Sequence, residues 1–258
     1  MSPLEALLLG AIQGATEFLP VSSSGHLVLM ANWLNADLPG FAFEVVVHLG
    51  TLLSILIVFR NDLISILSKV FKKGELGEIS SIAVATVPTA LIGLFFKSDI
   101  EPVFSTISIV GWCLLFTGLL LGSTWCIKGS QPRDITLVSA LIIGLAQAAA
   151  LLPGISRSGI TIVAALWLGI SNREAGRFSF LIAIPTLIGS GLLTMRDIVF
   201  IGSNEVSGII LSTAFTSAFV IGLGALKVLL GLLESGKLYL FSIYCILIGI
   251  VASSGLVS

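Results

Sequence analysis

Charged side chains are scarce in this chain of 258 residues: only 10% of the residues are Asp, Glu, Lys or Arg, whereas 56% are hydrophobic. A soluble domain carries about 25% charged residues, so the composition excludes an ordinary soluble protein and predicts an integral membrane protein. The net charge is −1, so bulk charge gives no indication of nucleic-acid binding, and the placement of the charges matters more than their sum. We therefore expect membrane lipids, and no nucleic acid, around this chain.

Cysteine is also rare, with three residues in the whole chain. Cys113, Cys126 and Cys245 lie in apolar segments without a Cys-x-x-Cys spacing, which argues against a zinc site or a redox pair. We predict that they are small buried apolar residues. The N-terminus lacks a basic segment and a small-residue cleavage site, so we expect no cleavable signal peptide there.

Apolar runs close to the 20 or so residues that cross a bilayer recur along the chain and predict an all-α fold. Six runs are predicted as transmembrane helices: residues 41–59, 78–96, 103–127, 178–195, 207–226 and 238–257. The segment 60–77 is predicted as a polar loop, 171–177 as a polar turn, and 35–40 and 128–134 as connecting turns.

Two further apolar segments are interrupted by prolines, which favour a break over a continuous helix. Pro20 divides residues 4–34, and Pro153 with Gly154 divides residues 135–170. Each half is too short to span a bilayer alone. We predict two re-entrant helix hairpins, which enter the membrane and return to the same side.

The chain therefore consists of two similar halves within one membrane domain, residues 1–134 and 135–258, each with one hairpin followed by three spans. At an offset of 134 positions, Gln13 matches Gln147 and Ser22 matches Ser156. An odd number of spans inverts the second half relative to the first. Inverted repeats with broken helices that meet near the midplane are a known membrane architecture.

The distribution of basic residues predicts the orientation, because cytoplasmic loops carry an excess of Lys and Arg. With segment 60–77 in the cytoplasm, only Lys97 and Arg196 fall outside. Ten basic residues fall inside or at the inner boundary: Arg60, Lys69, Lys72, Lys73, Lys128, Arg133, Arg173, Arg177, Lys227 and Lys237. The two hairpins then enter from opposite sides, and their tips converge.

The first break carries polar groups that are expensive among apolar neighbours. Gln13 and Glu17 are four residues apart and share a helix face, and Ser22 or Ser23 is predicted as the N-cap of the next helix. Either hydroxyl lies three or four residues from His26, which is a nucleophile–base spacing. Glu17 also offers a carboxylate to a divalent metal.

The second break predicts an anion site. A helix that starts after Pro153-Gly154 presents unpaired N–H groups, and Arg157 adds a planar donor fork suited to phosphate. Hydroxyl donors surround it: Ser156, Ser158 and Thr161. Simpler interpretations stay open: Glu17 and Arg157 as a structural ion pair, the serines as helix caps, His26 as a packing group, and the Glu44–His48 pair as packing or site support.

Both motifs resemble those of the undecaprenyl-diphosphate phosphatase family, also called the bacitracin-resistance proteins. The first motif reads Gln13-Gly-Ala-Thr-Glu17-Phe-Leu-Pro-Val-Ser22-Ser23-Ser24-Gly25-His26, and the second reads Pro153-Gly154-Ile155-Ser156-Arg157-Ser158-Gly159-Ile160-Thr161. Many members have Glu at the position of Gln13. Since Gln is not a base, Glu17 is assigned the acid–base role and the role of main metal ligand.

The resemblance implies hydrolysis of a long isoprenyl diphosphate to the monophosphate, which recycles the lipid carrier for cell-wall synthesis and raises bacitracin tolerance. It implies a divalent cation such as Mg²⁺ or Ca²⁺, held by Glu17 and Gln13, and a site at the outer side of the bacterial inner membrane. Ser23 resembles the nucleophile and His26 its acid–base partner. Around the diphosphate the resemblance places Arg157, Ser156, Ser158, Thr161, Ser22 and Ser24.

Alternatives remain at this point. His26 could activate water directly, with Ser23 only binding the substrate. Inverted repeats are also typical of transporters, so a transporter or flippase for a lipid phosphate is the rival function, although a transporter needs no nucleophile–base pair. The sequence is compatible with a homodimer.

Overall fold

The computed structural model describes residues 1–33, 41–100, 102–103, 106–127, 133–201 and 206–254. Within these ranges the regular secondary structure is helical, and no strand occurs. The α-helices are α1 (Pro3–Phe18), α2 (Ser23–Trp33), α3 (Phe41–Val58), α4 (Arg60–Lys73), α5 (Gly77–Phe95), α6 (Lys97–Ile100), α7 (Ile107–Gly122), α8 (Leu137–Ala149), α9 (Arg157–Trp167), α10 (Asn172–Ile201), α11 (Gly208–Glu234) and α12 (Leu240–Ser253). The predicted all-α fold is confirmed.

Several helices are long and apolar enough to cross a bilayer. In the part of the chain that is described, four qualify: Gly77–Phe95, Ile107–Cys126, Asn172–Arg196 and Gly208–Glu234. Helices α3 and α4 form a pair bent by 70°, which makes a fifth if it counts as one span. Helix α12 has 14 residues and residues 255–258 lie outside the described ranges, so a full-length span at 238–257 stays a prediction. The protein is thus a multi-pass membrane protein.

Two predictions of irregular structure are wrong. The polar segment after residue 59 forms helix α4, because Ile66 lies on a buried side while the lysines of its last turns face outward. The helix ends at Gly74, which takes a left-handed conformation with φ 67°. The predicted turn at 171–177 begins helix α10 instead, because the Ser171 hydroxyl accepts from the Glu174 N–H and the Arg177 side chain is held by three carboxylates. The predicted turn at 35–40 and residues 128–132 lie outside the described residues.

The two predicted breaks are present. Helix α1 ends at Phe18 and α2 begins at Ser23, whereas α8 ends at Ala149 and α9 begins at Arg157. Helices α1 and α2 contact each other, and so do α8 and α9. Each broken segment is therefore a pair of short helices in contact, and the re-entrant course of each pair through a membrane stays a prediction.

Each hairpin packs against a helix of the other half of the chain. Helix α1 packs on α11, and α8 packs on α5. Glycines make this close approach: a Cβ on Gly10 would lie 2.5 Å from the Ala214 carbonyl oxygen, and one on Gly144 would clash with the Ala85 carbonyl oxygen. Small residues let membrane helices approach closely. Gly10 and Gly144, which are 134 positions apart, therefore allow α1 and α8 to pack closely on helices of the other half of the chain.

The core of the molecule reaches the first break. Phe18, the last residue of α1, is fully buried and packs edge-on against Phe180 of α10, with ring centroids 5.8 Å apart. Aromatic pairs in this geometry are favourable beyond the area they bury.

The three cysteines are free thiols. Cys245 is buried, but Cys126 is exposed in a 3₁₀ turn after α7, so the predicted burial of Cys126 is wrong.

Candidate active site

The first break places two serines in different roles. Ser22 takes a left-handed conformation with φ 70°, which is unusual for a residue with a side chain. Its Oγ accepts from the Gly25 N–H at 3.4 Å, so Ser22 caps α2 and the predicted cap is confirmed. Ser23 then occupies the first turn of α2, and its hydroxyl points back toward α1.

Glu17 is the centre of the hydrogen-bond network at this break. Its Oε2 accepts from the Ser23 hydroxyl at 2.6 Å and from the Gln13 amide at 2.9 Å, and its Oε1 accepts from Arg157 Nη2 at 2.5 Å. The Glu17 side chain is 5% exposed. A buried carboxylate is stable only when paired and hydrogen-bonded, and these three donors supply both conditions.

The second break is held by its own polar contacts. Ser156 caps α9, with its Oγ accepting from the Gly159 N–H at 3.1 Å. The buried Thr117 of α7 donates its hydroxyl to the Gly154 carbonyl at 2.9 Å and accepts from the Ser156 N–H at 3.1 Å. Thr117 therefore satisfies one backbone acceptor and one donor that the break leaves unpaired.

The two breaks touch each other. The Gly154 N–H donates to Ser22 Oγ at 3.1 Å, and the Arg157 guanidinium reaches Glu17 across the same junction. Both pairs are separated by more than 130 positions in the sequence. The predicted meeting of the two polar stretches is therefore what the structure shows, and the Glu17–Arg157 ion pair is part of it.

A cavity of about 280 Å³ opens beside this junction. On its wall lie six of the predicted site residues: Glu17, Ser22, Ser23, Ser24, Ser156 and Arg157. Among the described residues, Arg157 Nη1 is buried and has no hydrogen-bond partner, and leaving a charged donor unpaired is unfavourable. The predicted residues thus bring hydroxyls, the Glu17 carboxylate and the Arg157 guanidinium to the cavity wall.

The other predicted site residues lie off the cavity wall. Gln13 sits behind Glu17, with its Oε1 buried and unpaired. The Ser158 hydroxyl lies 3.3 Å from that of Ser156. Thr161 donates within α9 to the Arg157 carbonyl at 2.8 Å and pairs with the buried Ser179 at 2.6 Å. In this geometry Ser158 and Thr161 support α9 and do not face the cavity.

The predicted hydrogen bond between a serine hydroxyl and His26 is wrong for the described structure. His26 Nδ1 lies 2.8 Å from the Ser22 carbonyl oxygen, and Nε2 lies 2.7 Å from the Tyr244 hydroxyl. Ser23 instead donates to Glu17. A spacing of four residues brings the imidazole to the backbone carbonyl of the earlier residue and not to its hydroxyl, as it also does for His48 and Glu44 in α3.

Sequence reasoning did not place more than half of the polar cavity wall. Eight further polar residues line it: Thr16, Glu44, His48, Thr89, Gln147, Thr186, Ser190 and Thr194. His48 Nε2 lies 3.9 Å from Glu17 Oε2, and Gln147 donates to Thr89 at 3.1 Å with its own Oε1 left unpaired. The signal was available: charged residues within an apolar span mark functional sites, and Gln147 is the counterpart of Gln13.

Glycine is required at position 154 for two reasons. Its φ is +98°, and an added Cβ would lie 2.5 Å from the Val110 carbonyl oxygen and 2.6 Å from Cys113 Cβ.

We expect Gly154→Ala to lower the free energy of unfolding by about 2–5 kcal/mol, from backbone strain and overpacking. Thermal unfolding in detergent measures this. Gly189→Ala is the control, because nothing lies within 4 Å of that Cβ; equal losses would contradict the argument.

Comparison with known proteins identifies the family. The model of the family described as "Bacitracin resistance protein BacA" matches residues 6–251. The chain belongs to the BacA family. The chain is also similar to an undecaprenyl-diphosphatase 2 of Bacillus thuringiensis (strain Al Hakam), to which it is 40% identical over 96% of both chains. The undecaprenyl-diphosphatase of Desulfosudis oleivorans is 40% identical over 96% of this chain and 97% of its own.

A third BacA relative supports the same assignment. Undecaprenyl-diphosphatase 1 of Halalkalibacterium halodurans is 39% identical, over 97% of this chain and 95% of its own. These three relatives carry hydrolase names, and they give the transporter alternative no support. The predicted family is confirmed over nearly the whole chain, so the cavity between the breaks is the candidate active site of a BacA-family protein.

The donor set of the cavity suits a hard divalent cation. Among the described residues there is no group of three or more His, Cys, Asp or Glu side chains that could hold a metal ion. Two carboxylates, Glu17 and Glu44, nevertheless lie on the cavity wall. Mg²⁺ is commonly bound by one or two carboxylates together with substrate phosphates and water, so this wall fits Mg²⁺ once a phosphorylated substrate is present.

Proposed function

We propose that this protein hydrolyses undecaprenyl diphosphate to undecaprenyl monophosphate and inorganic phosphate. The observation that carries this proposal is the buried junction of Ser23, Glu17 and Arg157 between the two breaks, in a chain of the BacA family. The reaction recycles the lipid carrier for cell-wall synthesis, and bacitracin tolerance follows from it.

The cavity accepts the head of the substrate and not its tail. Its volume of about 280 Å³ is near the lower limit of small-molecule pockets, about 300 Å³, which suffices for a diphosphate and a few carbons. The apolar side of the wall, with Leu151, Ile155 and Leu187, receives the first prenyl carbons. The rest of the tail lies along the exposed apolar faces of the helices.

The residues divide the work of phosphoryl transfer. Arg157 Nη1, which is unpaired, binds a phosphate oxygen and neutralises the charge that develops in the transition state. Ser23 Oγ attacks the terminal phosphorus and its proton passes to Glu17 Oε2. The bond between that phosphorus and the bridging oxygen breaks, and undecaprenyl monophosphate leaves with the electron pair. Water then hydrolyses the phosphoserine and releases phosphate.

A divalent cation, Mg²⁺ or Ca²⁺, is part of this proposal. Glu17 and Glu44 would hold it on the cavity wall, and the buried Oε1 of Gln13 is a further oxygen behind Glu17. A bound cation supplies charge neutralisation at the phosphate oxygens. We expect a chelator to abolish phosphate release, and added Mg²⁺ or Ca²⁺ to restore it. Full activity after exhaustive chelation would contradict the cation requirement.

We also propose the finer architecture: six spans and two re-entrant hairpins arranged as inverted repeats, residues 1–134 and 135–258. The crossed packing of α1 on α11 and of α8 on α5 supports it. The basic residues support a cytoplasmic position for α4 in the bacterial inner membrane and a site open to the outer side. No dimer contact is part of the proposal, because residues of one chain form the cavity wall.

Phosphate release from undecaprenyl diphosphate by the purified protein in detergent tests the function. We expect release that requires a divalent cation and is lost in Arg157→Ala. Movement of labelled lipid across vesicles without phosphate release would instead support the transporter function.

A further inference from the structure

His26 is separated from the reacting groups by the first break. Neither His26 nor Tyr244 is on the cavity wall described above, whereas Ser22, Ser23 and Ser24 are. His26 is 8% exposed, and Tyr244, on α12, is 42% exposed on the outside of the helix bundle. The imidazole therefore lies behind the break, between the active-site serines and α12.

Both ring nitrogens of His26 have protein partners. The Ser22 carbonyl can only accept a hydrogen bond, so Nδ1 carries the proton at 2.8 Å from it. In the neutral ring Nε2 is then the acceptor, and the Tyr244 hydroxyl donates to it at 2.7 Å. The two rings are also stacked, with centroids 5.6 Å apart and planes at 10°. No nitrogen is left for Ser23, whose hydroxyl is bound to Glu17 at 2.6 Å.

The carbonyl that His26 holds belongs to the strained residue of the break. Ser22 has φ 70°, a conformation that is unfavourable for a residue with a side chain and persists only when its surroundings fix it. The same residue accepts the Gly154 N–H from the second break at 3.1 Å. Its conformation sets the direction in which the following residue, Ser23, leaves the turn.

We propose that His26 and Tyr244 form a brace that positions Ser23, and that His26 is a positioning residue and not the base of the reaction. The brace runs from the Tyr244 hydroxyl through the imidazole to the Ser22 carbonyl, and so connects α12 to the break. Tyr244 is the member that sequence reasoning did not find. This inference rests on the proposed function, because it assigns a role within the same site.

Two substitutions of equal polarity separate a brace from a base. The amide nitrogen of Asn lies close to the position of His Nδ1, so His26→Asn keeps the donor to the Ser22 carbonyl. The longer Gln side chain places its amide near the position of Nε2, so His26→Gln keeps a partner for Tyr244 and loses that donor. Neither side chain can act as a base. A brace predicts different activities for the two variants, whereas a base predicts equal losses.

We expect His26→Asn to keep at least about a tenth of the wild-type kcat, because a lost neutral hydrogen bond is a small effect. His26→Gln should lower kcat by about 10²-fold, because a misplaced nucleophile reacts poorly. KM should stay within about threefold in both variants, since Arg157 still binds the substrate. Tyr244→Phe keeps the stacked ring and should lower kcat by about three- to tenfold.

Melting temperatures of the same variants in detergent give a readout that does not need activity. The Asn variant should melt above the Gln variant, because only the former keeps a side-chain donor to the Ser22 carbonyl in addition to the His26 backbone N–H at 3.2 Å. Equal kcat values for the two variants, or an Asn variant that folds like the wild type and is inactive, would overturn the brace. If the wild-type protein releases no phosphate the proposed function fails, and the order of melting temperatures still decides on the brace.

Discussion

Replacing Arg157 with alanine should abolish nearly all phosphate release and also lower the melting temperature. The guanidinium has two roles in the structure: Nη2 pairs with Glu17 at 2.5 Å, and Nη1 is buried and unpaired. Removing one partner of a buried, hydrogen-bonded charge pair costs about 2–5 kcal/mol, and losing a preorganised phosphate contact lowers the rate by about 10²–10³-fold. We expect kcat/KM to fall by at least about 10³-fold.

Arg157→Lys tests whether charge alone suffices. An ammonium group keeps the charge and lacks the planar fork that can serve Glu17 and a phosphate oxygen together. We therefore expect a loss of about 10–10²-fold, with most of the melting temperature retained. A lysine variant with full activity would show that the orphaned Nη1 does not matter for binding.

Arg177→Ala is the matched control for the loss of an arginine. Arg177 is paired with Asp62, Glu78 and Glu174 and does not line the active-site cavity. Its removal should lower the melting temperature and leave kcat per folded molecule within about twofold, because its contacts join α4, α5 and α10 away from the reacting groups. Equal catalytic losses in the two alanine variants would mean that Arg157 acts through stability alone.

The double variant Glu17→Gln with Arg157→Gln addresses the structural interpretation of the ion pair. Replacing both members of a buried pair with neutral groups avoids the uncompensated charge that a single change leaves. The melting temperature should therefore recover relative to Arg157→Ala, while phosphate release stays lost. Recovery of activity in the double variant would show that the pair only holds the hairpins together.

The features that depend on neighbouring residues in the sequence could be predicted from it. The prolines and glycine predicted both breaks, and the caps at Ser22 and Ser156 follow from the preference of serine for helix N-termini. The opposite charges of Glu17 and Arg157 within apolar segments indicated that the two stretches meet. A charge buried in a membrane protein needs a partner of opposite charge, and few charged residues are present in this chain to provide one.

The contacts that sequence reasoning missed depend on tertiary packing. The partner of His26 is Tyr244, 218 positions away, and no local spacing indicates it. The Ser22 carbonyl, and not its hydroxyl, faces the imidazole. Helix α4 was predicted as a loop because its polar residues outnumber its apolar ones. Its apolar residues nevertheless form an amphipathic helix, with Ile66 buried and Ile64, Leu67 and Phe71 exposed, as is typical of a helix at the membrane boundary.

Ser23→Ala should have the second largest effect on catalysis and almost none on folding. Glu17 would still accept from Arg157 and Gln13, so the loss of the Ser23 hydrogen bond should cost only about 0.5–1.5 kcal/mol of stability. If Ser23 is the nucleophile, kcat should nevertheless fall by at least about 10³-fold, because no hydroxyl remains to form the covalent intermediate.

The neighbouring serine provides the control, since Ser24 also lies on the cavity wall but bonds only to Ser22 Oγ, at 3.4 Å. We expect Ser24→Ala to lower kcat by less than about tenfold. Acid quenching of wild-type protein with substrate labelled in the terminal phosphate should trap phosphoserine at position 23. Activity of Ser23→Ala above about a tenth of wild type, or quenched protein without label, would exclude the covalent route. Water would then be the nucleophile, with Glu17 as its base and Ser23 as a binding group.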